Sequence, residues 1–245
     1  MTALQHNRSV ASVSIPAGTL RLEGMLELPA APRGVVAFAH GSGSGRHSPR
    51  NRFVAGELRK SGLATLLLDL LTLDEDRNAE MRFDIALLTA RLADAVRFLA
   101  MHEKTRALPV GLFGASTGAA SALRVAAAMP QRIGAVVSRG GRPDLAGATA
   151  LARVKAPTLL IVGAEDSGVI ELNEQARDAL ANCTRELVLV PGATHLFEEP
   201  GTLEEVARLA AAWFSRRLSA LDADERLGAR HLEREPGAGG GIDHR

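Results

Sequence analysis

Apolar and polar positions alternate near the start of the chain. Val13 and Ile15 alternate with Ser12 and Ser14, Leu20, Leu22, Leu26 and Leu28 alternate with Arg21, Glu23 and Glu27, and Pro16-Ala17-Gly18 stands between the two runs. A period of two puts one set of side chains on one face, so this segment predicts a β-hairpin with a single buried face. From Gly34 the pattern changes to short, almost wholly apolar runs at 34–39, 64–70, 110–113, 133–137, 158–162 and 187–190. Runs of that kind predict strands covered on both faces. Between them the period lengthens. Ile85, Leu88, Leu92, Val96 and Leu99 form one stripe, with Asp84, Arg91, Asp94 and Arg97 off it, which predicts a helix laid against a sheet.

Weaker helical patterns occupy 53–60, 117–129, 170–181 and 203–218. A hairpin followed by repeated strand–helix units predicts an α/β fold: a mostly parallel central sheet with the hairpin at its N-terminal end and helices on both faces. One domain is expected over 9–220, because no linker divides it. Residues 1–8 are expected to be a flexible N-terminus. Residues 221–245 are charged and then glycine-rich, with little apolar material to anchor them, and are expected to form a disordered tail.

Composition narrows the function classes. Of 245 residues, 29 are Lys or Arg and 28 Asp or Glu, a net charge of +1 that favours neither nucleic acid nor an anionic membrane as partner. Aromatics are 3% with no Tyr, which leaves few rings to stack bases or sugars. The single Cys183 excludes an internal disulfide and fits a reducing compartment. Residues 1–10 lack the apolar core of a signal peptide, and the long uncharged run 107–123 is broken by Pro109, Gly111, Gly114 and Gly118, so a cytoplasmic location is expected. His6, His47, His102, His231 and His244 show no metal-ligand spacing, so no metal or other cofactor is inferred.

The densest chemical signal is Gly114-Ala115-Ser116-Thr117-Gly118, between the apolar run 110–113 and a helix of small residues, 119–128. A serine on a tight strand-to-helix turn takes a strained backbone conformation, and its neighbours two residues away must be small to avoid colliding with it. Glycine stands at both positions. The turn is expected to lift the Ser116 hydroxyl above the sheet and to aim the helix N-terminus, with its free N–H groups, at an oxyanion formed there.

A serine hydroxyl is a poor nucleophile at neutral pH and needs a base, with a carboxylate to orient that base. Both residue types follow predicted strands: Asp166 after 158–162, and His195 after 187–190. Taken alone, Asp166 fits a loop-capping role equally well, and Glu165 beside it is a rival for the same part. Positions just beyond the carboxyl ends of parallel strands gather along one edge, so Ser116, Asp166 and His195 can meet there. Their order along the chain is the one this kind of elbow requires. His40-Gly41-Ser42-Gly43-Ser44-Gly45 follows the first central strand, and its glycines let the Ser42 N–H face that of Thr117 as a two-donor oxyanion hole. A dinucleotide turn is disfavoured, since Arg46 stands where the third glycine of G-x-G-x-x-G belongs.

Together the elbow, the His40-Gly41 turn, Asp166 and His195 resemble the α/β-hydrolase superfamily over roughly residues 10–220. The turn after His40, the segment Asp69-Leu70-Leu71-Thr72 with Glu75 close behind, and the short route between the later strands look most like compact members akin to dienelactone hydrolases. Dienelactone hydrolases proper carry a cysteine nucleophile, whereas this chain has Ser116, so their specific substrate does not carry over. The stretch between Ser138 and Ala156 is too short for a cap domain, so an open cleft is expected. The resemblance implies a serine hydrolase for small esters, thioesters or lactones, with a small molecule as its partner. Acyl transfer to an alcohol or peroxide, and a ligand-binding module without turnover, remain alternatives. Arg139 and Arg142, at the end of a strand bordering the cleft, are candidates to pair with a substrate carboxylate. Glu75 is a candidate, by resemblance only, to bind substrate by hydrogen-bonding near the nucleophile.

Overall fold

The computed structural model describes the backbone of residues 9–232 and the side chains as far as Leu218. The predicted hairpin is β1 (Ser9–Ala17) and β2 (Leu20–Leu28), antiparallel, with Ile15 opposite Leu22. The apolar runs become β3 (Val35–Ala39), β4 (Ala64–Leu68), β5 (Val110–Ala115), β6 (Ile133–Arg139), β7 (Thr158–Gly163) and β8 (Arg185–Val190), which pair in parallel. The eight strands lie in the order β1-β2-β4-β3-β5-β6-β7-β8, and the hairpin joins the rest through an antiparallel β2–β4 pairing. After β3 the chain moves to one side to make β4, then returns across β3 to make β5. That reversal opens a crevice at the carboxyl ends of β3 and β5, where the fold places the loops that follow them.

Alternate residues of one strand enter opposite layers. Leu112 packs with Leu88, Leu92 and Leu123, from the helices α4 (Ile85–Met101) and α5 (Thr117–Ala128). Phe113 packs with Val54 and Leu58 of α1 (Pro49–Lys60) and with Phe214 of α8 (Thr202–Leu232) on the other face. The expectation of strands covered on both faces therefore holds for the central ones. At the sheet edge it does not: β8, the last strand of the sheet, leaves Leu189 42% exposed.

Helix boundaries differ from the sequence reading where capping rather than periodicity sets them. Helix α1 begins at Pro49, preceded by Ser48, whose hydroxyl accepts from the Asn51 N–H. Two short helices, α2 (Leu73–Asp76) and α3 (Ala79–Phe83), carry no apolar stripe. They are started instead by a capping box between Thr72 and Glu75 and by an Asn78 cap. A 3-10 turn (Pro143–Ala146) and the one-turn α6 (Ala148–Leu151) fill the space between β6 and β7, where no cap domain intervenes. Helix α7 (Ser167–Ala179) follows β7. Helix α8 continues to Leu232, past the boundary at 220 expected from composition. The expectations for residues 1–8 and 233–245 lie outside the described residues. Among the described residues no helix is long and apolar enough to cross a membrane.

Candidate active site

Ser116 sits at the junction of β5 and α5 with φ 50° and ψ −122°, a conformation that L-residues adopt only when the surroundings enforce it. Two close approaches enforce it here. A Cβ on Gly114 would stand 2.4 Å from Ala119 Cα, and one on Gly118 would stand 2.2 Å from the Ala39 carbonyl oxygen. Serine at a helix N-cap normally turns its hydroxyl back onto the first-turn N–H groups. Ser116 makes no such bond. The backbone around it is tied down, since Ser116 N–H donates to the Arg139 carbonyl and Arg142 N–H donates to the Ser116 carbonyl.

Asp166 repeats this departure at the start of α7. It is the N-cap residue, yet its side chain makes no capping bond. Its Oδ2 lies 2.7 Å from His195 Nδ1 instead. An ionised carboxylate can only accept, so in this bond Nδ1 is the donor. The meeting depends on the loop after β8 crossing over the end of β7, where Glu165 N–H donates to the Ala193 carbonyl at 3.0 Å. Thr194 and Glu199 then close the loop on its far side, through a hydroxyl bond of 2.6 Å. Between the rival carboxylates, the one that reaches the imidazole is Asp166.

The glycine turn after β3 is held from the β4 side. His40 is buried, its Nδ1 donates to the Gly41 carbonyl at 2.9 Å, and its Nε2 accepts the Leu70 N–H at 3.0 Å. Burial pushes the pKa of His40 below 6.5, which suits a neutral ring wired between two backbone groups. Asp69 accepts the Arg46 N–H and also pairs with the Arg46 guanidinium. Gly41 then lies against the Ser116 turn: a Cβ on it would be 3.1 Å from Ser116 Cβ. A cavity of about 690 Å³ opens on the β4 side of the glycine turn, lined in part by His40, Arg46, Asp69 and Leu71 but not by Ser116, Asp166 or His195. The Ser42 N–H, expected to be a free donor, is engaged: it donates to the Thr117 hydroxyl at 3.0 Å. Sequence reading missed that contact and the His40 clamp, because each joins loops that follow different strands.

The three candidate substrate-binding residues differ in their surroundings. Arg142 has both arms of its fork on Asp144, at 2.9 and 2.7 Å. Glu75 closes the α2 capping box and pairs with Arg91 at 3.0 Å, so its charge serves the local fold. Arg139 is buried, and no carboxylate pairs with it among the described residues. Cys183 is half-buried, and burial pushes its thiol pKa up, away from the reactive thiolate.

Comparison with known proteins bears on this geometry. The dienelactone hydrolase family model matches residues 44–223. The crystal structure of a dienelactone hydrolase from Anabaena variabilis is 52% identical, with a TM-score of 0.84 over 87% of this chain and all of that one. Carboxyl esterase 2 from the fungus Tuber melanosporum shares the fold at 17% identity, with a TM-score of 0.70 over 88% of this chain and 89% of that one. A Mycobacterium tuberculosis protein named as a phosphoribosyl transferase is 58% identical over 204 residues, 82% of this chain. The match takes up 45% of that protein, so the chain spans about half the length of the curated relatives it matches.

Proposed function

The chain belongs to the dienelactone hydrolase family, and from that premise we propose that it cleaves small carboxylic esters, thioesters or lactones through an acyl-enzyme on Ser116. The observation that carries this reading is the 2.7 Å bond from His195 to Asp166, in a loop that lies against Gly140, the residue after the Arg139 carbonyl that accepts the Ser116 N–H. His195 Nε2 takes the Ser116 proton as Oγ attacks the substrate carbonyl carbon. The Thr117 N–H, in the unpaired first turn of α5, stabilises the oxyanion, and the Ser42 N–H joins it once the Thr117 hydroxyl gives way. His195 next protonates the leaving alcohol or thiol, then activates water to hydrolyse the acyl-serine, while Asp166 holds the ring and stabilises its protonated form. The substrate is a small molecule met in the cytoplasm.

The name of the mycobacterial relatives points elsewhere, but the match takes up 45% of each, so we do not carry phosphoribosyl transfer over to this chain. The family model and the Ser116, Asp166 and His195 positions all fall within residues that read as a hydrolase.

The test is mass spectrometry after exposure to a fluorophosphonate probe, with peptide mapping and a screen of esters, thioesters and lactones. Wild type should be labelled at Ser116, His195→Ala should not be, and Ser116→Ala should lose all turnover while remaining folded. Asp166→Asn should lower turnover by about 10⁴-fold, whereas Glu165→Gln should stay near wild type. Unlabelled, folded wild-type protein would end this reading.

A further inference from the structure

One short segment holds the strained Ser116 backbone from both sides. The Ser116 N–H donates to the Arg139 carbonyl at 3.2 Å, and the Ser116 carbonyl accepts the Arg142 N–H at 3.0 Å. The two residues between are anchored in turn. Gly140 N–H donates to the Ile161 carbonyl of β7 at 2.8 Å, and the Gly141 carbonyl accepts a hydrogen of the Asn173 side-chain amide at 3.0 Å. Gly141 is buried in close packing: a Cβ on it would collide with Ser138 Oγ and stand 2.7 Å from Ala119 Cβ.

Asn173 lies in the middle of α7, where it and Ala176 are the buried residues. Two turns earlier the same helix begins at Asp166, whose carboxylate meets His195 at 2.7 Å. The second hydrogen of the Asn173 amide goes to the Val169 carbonyl, one turn back, at 2.8 Å. Carbonyl oxygens only accept, so the end of the amide that meets both is the nitrogen. The Asn173 Oδ1 is left buried with no partner among the described residues. An unmet buried acceptor works against stability, and a fully buried position on a helix face is ordinarily filled by an apolar side chain. What accounts for asparagine here is the bond it sends out of the helix to Gly141.

We propose that Asn173 is a positioning residue of the serine-hydrolase site, which ties the helix presenting Asp166 to the segment that fixes the Ser116 backbone. The nucleophile and the acid that orients its base come from different strands. Ser116 follows β5 and Asp166 follows β7, with β6 between them in the sheet, and residues 139–142 are the bridge across that gap. Asn173 fastens the bridge to α7, and so sets Ser116 against the His195–Asp166 pair without touching substrate. Misplacement of reacting groups by about 1 Å costs up to about 100-fold in rate, which makes the spacing matter. The proposal rests on the serine-hydrolase reading for its kinetic effect and on geometry alone for the tie.

The kinetic arm compares wild type with Asn173→Leu and Asn173→Ser, using 4-nitrophenyl butyrate turnover and the rate of fluorophosphonate labelling, well below each Tm. Leucine removes both bonds, whereas serine can keep the one to Val169 and gives up the one to Gly141. Both variants should lose about 10- to 100-fold in kcat and in labelling rate, with KM within about twofold of wild type. Val96→Ala, a core truncation in α4 on the other side of the molecule from no catalytic group, controls for lost stability and should keep the wild-type kcat. A kcat within twofold of wild type in Asn173→Ser, or an equal loss in Val96→Ala, overturns the proposal. The structural arm is a crystal structure of Asn173→Ser. Residues 139–142 and Ser116 should be displaced relative to Asp166 and His195, whose own bond is kept. Unchanged positions overturn the tie whatever the activity. Displacement in a protein whose wild type is neither labelled nor active keeps the tie and removes the hydrolase reading.

Discussion

Thr117 offers two groups to one point in space. Its N–H heads α5 and is free of helix partners, while its hydroxyl accepts the Ser42 N–H that the oxyanion needs. On the proposed mechanism the hydroxyl competes with the substrate oxygen for the Ser42 N–H. It ties the two loops together and would have to release that donor before it could serve the transition state. Thr117→Val keeps the shape and removes the acceptor. The variant should lose about 1 kcal/mol of stability in urea unfolding, and its kcat/KM should rise about threefold. A fall of tenfold or more would show that the hydroxyl itself acts on the oxyanion. Nothing in the residue order Ser116-Thr117-Gly118 announces this contact, since its other half lies in a loop that follows a different strand.

The strand–turn–helix element around Ser116 is held by backbone approach rather than by side-chain packing. A methyl group at Gly118 would meet the Ala39 and His40 carbonyl oxygens at 2.2 and 2.5 Å, and neither can move without breaking the end of β3. Gly118→Ala should therefore cost about 3 kcal/mol in denaturant unfolding. Gly168, in the first turn of α7, has no atom within 4 Å of the corresponding position. Gly168→Ala should stabilise the protein by about 0.5–1 kcal/mol, as helix propensity alone dictates. The contrast separates a glycine required by close approach from one in open space. The elements with strong periodicity or uninterrupted apolar runs were legible in the sequence. The short helices α2, α3 and α6 were not, because caps and turns, rather than an apolar stripe, decide them.

Across the whole molecule, the crevice depends on the ends of β3 and β4 being tied together, by the Asp69–Arg46 contacts and by His40. Its ring is held neutral by burial, so below its ordinary value of 6.5 the unfolded chain takes up a proton that the folded protein refuses. Stability then falls as the pH drops through that window and returns as it rises, by up to about 1.4 kcal/mol per pH unit from this group. His40→Asn should be less stable at neutral pH, having lost part of the clamp. Its Tm should nevertheless decline less steeply than that of wild type as the pH is lowered from about 7 to 5, a difference read from melting curves across that range.

The order of strands and helices, the absence of a cap domain and the elbow at Ser116 could be read from residue order because each is set by neighbours a few positions apart: alternation, apolar runs, glycines two residues either side of a serine. The tertiary structure decided the rest. It brought Asp166, rather than Glu165, to His195, closed Arg142 on Asp144 and Glu75 on Arg91, and left Arg139 buried with no carboxylate partner among the described residues. The physical reason is the same in each case. Whether a charged or polar group is available for chemistry depends on what desolvates and pairs with it, and that is settled where loops from different strands meet at one edge of the sheet.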